Sequence, residues 1–220
     1  MEPQRLPSFK IPECVKAEAA DLSLEDCTEE AVQIASGLLK KDQYDAHILG
    51  MESLVQLTKA SSTTKVARAL FQGHVLDTIL SLIQSWRMHQ EDKDDNVIPE
   101  MEKDYFAMMH RNALTVLANC LSALEQASEL HQVLSTQDRL IADELLSVLI
   151  NELGSAEQRP HDAWQACRCL KTLLRSSKET KMRAVDLGAP IAVTSAYNEG
   201  ALTHLHLEEE CEKLQVEIGQ

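Results

Sequence analysis

Aromatic residues are scarce in this chain of 220 residues: two Trp, three Tyr and three Phe make up 4% of it. Since 44% of the chain is hydrophobic, a core is expected, and it must be aliphatic, built from Leu, Val, Ile, Ala and Met. Glycine (7) and proline (6) are thinly spread, which argues against a sheet protein with many tight turns. No run of about 18 apolar residues occurs, so no membrane-spanning helix is expected. The opening MEPQRLPSFK carries no apolar run either, and reads as lacking a secretory signal. The six cysteines (Cys14, Cys27, Cys120, Cys167, Cys169 and Cys211) are then expected as reduced thiols in a cytoplasmic setting, the nucleus being the alternative. Basic residues are outnumbered, 21 Lys and Arg against 35 Asp and Glu, for a formal charge of −14. Such a field repels nucleic acid and anionic membranes, attracts basic partners and keeps an elongated surface soluble.

Signatures of catalysis are missing. The chain has no Gly-rich phosphate loop, no nucleophile elbow and no HExxH. His47, His74, His110 and His161 are scattered through predicted helices and read as surface or groove residues, not as a general base. DKDDNVIPEMEK (92–103) follows the calcium-loop pattern at Asp92, Asp94 and Asn96. It then puts Val97 where the turn wants Gly, and Lys103 where a bidentate Glu is needed. Cys167 and Cys169 are two apart on a helix and point about 200° apart, so they cannot share one metal. His204 and His206 diverge in the same way, and Cys211 lies five residues beyond His206. No enzyme, cofactor or metal site is expected.

What is present is helical periodicity. Residues 1–28 hold Pro3, Pro7 and Pro12 and read as a mobile acidic tail, helical at most from about Val15 to Ala20. From Glu29 the apolar residues recur at three and four. Ala31, Ile34, Ala35, Leu38 and Leu39 share a face, and Ile48, Met51, Leu54, Val55 and Leu57 give the next. A short helix through Val66, Ala69 and Leu70 ends near Gly73, and Val75–Met88 follows. EDKDDNVIPEMEKD (91–104), within an insertion at 90–104, carries acids and Pro99 and is predicted to be a loop, the first place a protease cuts. Helix is predicted again over Tyr105–Leu124, Ser128–Leu134, Asp138–Leu153, from Pro160 through Leu174, and over Leu202–Ile218. In AWQACRCLKTLLRSSKETKMRAVDLGAP (163–190) a long helix meets a break at Lys178 and Glu179, a short helix, a corner at Gly188 and a new start at Pro190.

The faces repeat. SLVQL (53–57), VLANC (116–120), CLKTL (169–173) and KLQVE (213–217) occupy the same point of four long helices. Leu54, Leu117, Leu170 and Leu214 anchor them, 63, 53 and 44 residues apart, and removing the acidic insertion brings the first gap into the high forties. LDTILSLIQS (76–85) matches ADELLSVLIN (142–151), and RALFQG (68–73) matches RAVDLG (183–188). A unit of roughly 42–50 residues has the length of an armadillo or HEAT repeat.

The order within the unit is short helix, glycine corner, helix, break, long helix. KETKMRAVDLGAPIAV resembles the first and second helices of an armadillo repeat, and AWQACRCLKTLL resembles the third, as do Met51–Leu57 and Ala113–Leu121. In the middle unit Ser135–Asp138 stands where the glycine belongs. The chain from about residue 29 thus resembles the armadillo repeat family, with HEAT-like packing the alternative. The resemblance implies an all-α, right-handed superhelix of about three units plus a leading half unit, over 29–220. It implies a concave groove lined by third helices that holds an extended peptide. In importin α and its relatives a Trp, and an Asn four residues later, recur on that helix. The corresponding positions here are Glu52, Thr115, Arg168 and Glu212 for Trp, and Gln56, Asn119, Thr172 and Val216 for Asn, with Asn119 alone keeping the family residue. Trp164 lies one turn before Arg168 and reaches the same surface, and Arg111 and Asn112 add exposed polar groups. The expectation is a non-enzymatic adaptor or scaffold, a monomer or part of an assembly, binding a protein or peptide through Glu52, Gln56, Arg111, Thr115, Asn119, Trp164, Arg168 and Thr172. The alternatives are a regulator or chaperone cofactor that grips a folded domain, a structural subunit, and an enzyme with an unrecognised site.

Overall fold

The computed structural model describes residues 27–41, 43–59, 63–72, 75–91, 100–135, 139–200 and 204–219. Eleven helices and no strand occur among the described residues. They are α1 (Cys27–Leu39), α2 (Tyr44–Leu57), α3 (Thr63–Gln72), α4 (Val75–Glu91), α5 (Glu100–Gln126), α6 (Leu130–Ser135), α7 (Arg139–Leu153), α8 (Pro160–Ser176), α9 (Lys178–Asp186), α10 (Ala189–Gly200) and α11 (Leu205–Ile218). The expected tail of 1–28, apart from the start of α1, and most of the candidate calcium loop lie outside the described residues.

Two rows of helices form the body. In one, α2 packs on α5, α5 on α8 and α8 on α11. In the other, α1 packs on α4, α4 on α7 and α7 on α10. Each member of the second row also packs on its partner in the first: α1 on α2, α4 on α5, α7 on α8 and α10 on α11. The short helices α3 and α9 brace the rows, α3 against α1 and α5, α9 against α8 and α7. The core between the rows is aliphatic, and Leu54, Leu117, Leu170 and Leu214, the repeated anchor, are all 0% exposed.

Local sequence sets the helix ends. Pro160 opens α8 at its first turn, where a missing N–H costs nothing. Ser177 then interrupts the chain in extended conformation, and its Oγ accepts the Thr180 N–H at 3.0 Å, capping α9. The break is therefore a single residue, and Lys178 and Glu179, expected in it, belong to the first turn of α9. Gly188 takes φ +91°, a left-handed corner open to glycine, and α10 begins at the next residue. His204 caps α11 through Nδ1, which accepts the Leu207 N–H at 3.2 Å.

The acidic insertion differs from expectation at both ends. Helix α4 runs on to Glu91 and α5 begins at Glu100, so residues 100–104 are helical and α5 reaches 27 residues. Three acids, Glu100, Glu102 and Asp104, sit in the opening turns of α5, where the helix dipole favours negative charge. Residues 92–99 lie outside the described residues.

Where α1 crosses α2 the backbones approach closely. A Cβ added at Gly50 would lie 2.7 Å from the Ala35 carbonyl oxygen and 3.1 Å from Leu38 Cβ. Backbone cannot move aside as a side chain tip does. Gly50→Ala is expected to destabilise by about 1–3 kcal/mol despite the better helix propensity of alanine, read as a lower midpoint in a urea melt.

Candidate surface of the third helices

The row α2, α5, α8 and α11 carries the residues singled out by repeat position. Glu52 and Gln56 are exposed on α2. On α5, Arg111 is exposed, while Thr115 and Asn119 are half-buried. Trp164 and Arg168 are half-buried on α8. Thr172 is only 3% exposed and does not form an open rung, because α8 has α5, α7, α9 and α11 packed around it.

Side chains bridge each neighbouring pair in the row. Between α2 and α5, the Tyr105 hydroxyl lies 3.0 Å from His47 Nδ1, and Asn119 Nδ2 donates to Thr58 Oγ1 at 3.4 Å. Asn119 thus spends one N–H on the end of α2 and keeps its carbonyl oxygen for another donor. Between α8 and α11, Lys171 pairs with Glu210 and Arg175 with Glu217. Thr115 bonds back to the Arg111 carbonyl oxygen at 2.9 Å.

Where α5, α7 and α8 meet lies a buried ionic cluster that sequence reasoning missed. The His110 side chain, 0% exposed, puts Nε2 3.2 Å from Glu152 Oε1 and Nδ1 3.3 Å from Asp162 Oδ2. Glu152 is 0% and Asp162 2% exposed. Arg159 reaches Glu152 at 3.6 Å, Arg111 reaches Asp162 at 3.5 Å, and His161 stands 3.9 Å from Asp162. Charge attraction across these close contacts holds the cluster. Burial alone would lower the His110 pKa, but Asp162 and Glu152 outweigh it and the pKa is raised. Burial would raise the Asp162 carboxyl, but His110, His161 and Arg111 outweigh it and hold it well below the usual carboxylate range.

This is a convergent set of titratable groups, which the sequence did not display. It is nonetheless poorly disposed for acid–base chemistry. Both His110 nitrogens face carboxylates, leaving neither free for a substrate, and the ring has no exposed surface. The cluster reads as a lock between α5, α7 and α8.

At the α8–α11 end of the row, Trp164 collects imidazoles. Its ring centroid lies 5.2 Å from that of His161 and 5.8 Å from those of His204 and His206. The Arg168 guanidinium carbon stands 5.3 Å from the indole centroid, and Nη1 donates to Gln165 Oε1 at 2.8 Å. Burial, with the His161 and His206 rings as neighbours, pushes the His204 pKa down. His204 and His206, expected to diverge, instead have ring centroids 5.9 Å apart and both reach Trp164, since His204 is the cap and His206 lies in the first turn. The row therefore runs from acidic at α2, with Asp45 and Glu52, to cationic and aromatic at α8.

No family model matches the chain, and no curated protein matches it. Among solved structures it is similar to a designed armadillo repeat protein at 12% identity, over 96% of this chain and 100% of that one, with a TM-score of 0.39. The all-helical architecture follows from the helices and packing described above. No single helix among the described residues is long and apolar enough to cross a membrane.

Proposed function

We propose that the chain is a non-enzymatic protein-binding module, a short armadillo-type right-handed superhelix that holds a segment of a partner protein along its third helices. The observation that carries this reading is the row itself. Four long helices lie side by side, and Glu52, Gln56, Arg111, Thr115, Asn119, Trp164 and Arg168 stand exposed or half-buried on the first three of them. Salt bridges and hydrogen bonds fix neighbouring helices at the sides of these residues, so the surface is preorganised for a ligand. The graded charge favours a segment with a cation toward α2 and a carboxylate toward α8, where Arg168 presents a guanidinium braced by Trp164. Steering by the net charge makes association faster at low salt.

A second reading has a specific observation behind it. The last unit exposes Met182 (59%), Ile191 (79%), Leu205 (75%) and Val216 (75%). Scattered apolar residues need no explanation, but four on α9, α10 and α11 suit a structural subunit that joins an assembly by this unit. Parallel capture from a native lysate separates the two. Proteins retained by the wild type are expected to fall at least tenfold with Arg168→Glu combined with Gln56→Lys. Ser81→Lys with Asn151→Lys, exposed on the other row, is expected to leave them unchanged. Loss with Ile191→Lys and Val216→Lys, and not with the row variant, would favour the subunit reading.

A further inference from the structure

Cys167 on α8 and Cys211 on α11 place their Sγ atoms 3.7 Å apart, and both side chains are 0% exposed. That is sulfur contact distance, against about 2.05 Å in a disulfide. Cys120 and Cys169 are also buried free thiols. Cys167 and Cys169 leave α8 on different sides, and Cys167 alone faces the last helix. Two thiols at contact on adjacent helices, 44 residues apart in sequence, need only a small approach to bond.

We propose that Cys167 and Cys211 are an oxidisable dithiol, converted by a peroxide into a disulfide that ties the last helix to the one before it. Cys211 is the sulfur oxidised first. The hydrogen bond from Cys167 lowers its pKa, while that same pairing and burial push the Cys167 thiol up. Helix α11 packs chiefly on α8 and α10, so a local opening of the terminal unit exposes Cys211 without unfolding the body. The Cys211 thiolate attacks hydrogen peroxide, an S–O bond forms as the O–O bond breaks, and hydroxide leaves. Cys167 sulfur then attacks the sulfenic acid, the S–S bond forms as the S–O bond breaks, and water leaves with the Cys167 proton. Hydroxide takes up the proton first lost from Cys211. Two thiols are oxidised and one peroxide becomes two waters.

The test treats the full chain with hydrogen peroxide, alkylates the remaining thiols and maps tryptic peptides by mass spectrometry. Trypsin cuts after Arg168, which separates Cys167 from Cys169 and makes the pairing unambiguous. The expected result is a Cys167–Cys211 linked peptide, lighter by two hydrogens than its parts. It is accompanied by a rise in melting temperature of roughly 5–10 °C that dithiothreitol reverses. Cys167→Ser and Cys211→Ser, where the far-ultraviolet spectrum stays helical, are expected to abolish both changes. If either variant fails to fold, the wild-type peptide map decides alone. Alkylation of both thiols after peroxide, separate sulfinic acids at the two positions, or either cysteine linked instead to Cys14, Cys27, Cys120 or Cys169 would overturn the proposal.

Discussion

Replacing His110 with alanine is expected to remove about 3–5 kcal/mol of stability, as breaking a buried ion pair does. The His110 ring stands between Glu152 and Asp162, both withdrawn from solvent. Without it two carboxylates share a buried site, answered by Arg159 at 3.6 Å from Glu152 and by Arg111 at 3.5 Å and His161 at 3.9 Å from Asp162. Leucine in place of His110 restores volume and not charge, so it rescues little. Adding Glu152→Gln and Asp162→Asn to His110→Leu is expected to recover much of the loss, as replaced buried ion clusters do. Urea unfolding of the four proteins measures this directly, and a loss under about 1 kcal/mol for His110→Ala would remove the cluster from the account.

The same cluster gives stability a pH dependence of known sign. His110 is raised above 6.5 in the folded chain. Its contribution is complete below about 6.5 and is lost as pH rises through the raised folded value. Asp162 is lowered from 3.8. Its contribution is complete above about 3.8 and is lost as pH falls through the depressed folded value. The groups facing His110, namely Glu152, Asp162 and the arginines and His161 beside them, are thus best satisfied between those limits. The melting temperature is expected to peak in mildly acid solution and decline above about pH 6.5, and His110→Gln should flatten that alkaline limb. An alkaline limb equally steep in the variant would assign it to other groups.

Leu117→Ala and Leu170→Ala are each expected to cost about 2–5 kcal/mol. Both side chains are 0% exposed at the matched point of α5 and α8, and each of those helices is held by neighbours on several sides. The surroundings cannot collapse into the space left, so the cavity adds to the lost transfer energy. Leu205→Ala and Val216→Ala supply the control. Each residue is 75% exposed on α11, and each substitution is expected to change stability by no more than about 0.5 kcal/mol. A similar effect in all four variants would mean that the repeated leucine does not mark the core.

Leu117 was legible in the sequence because a helix with one buried face writes that face at a spacing of three and four. Helix α8 shows where such reading ends. Ten of its residues are buried, among them Asp162, Gln165 and Thr172. A single-stripe reading put Thr172 outside, but a helix with neighbours on several faces buries more than one stripe. The His110 cluster had a faint signal of its own. His110 falls in register with Ala113 and Leu117, Asp162 with Ala166 and Cys169, and Glu152 with Leu145 and Leu149. A charged residue on an apolar stripe asks for a partner, but that the three meet depends on how α5, α7 and α8 pack, which periodicity does not contain. The start of α5 was missed for a different reason. Acids and a preceding proline resemble a loop in composition, and the same acids are what a helix N-terminus favours.

Photo-crosslinking tests the proposed binding row most directly. A benzophenone amino acid placed singly at Gln56, Thr115 or Arg168 is compared in native lysate with the same group at Ser81 or Asn151, exposed on the other row. The account predicts one shared partner adduct from the first three positions, at least tenfold stronger than from the other two. The same adduct from Ser81 and Asn151, with none from Gln56, Thr115 and Arg168, would place the binding surface on the opposite row and contradict it.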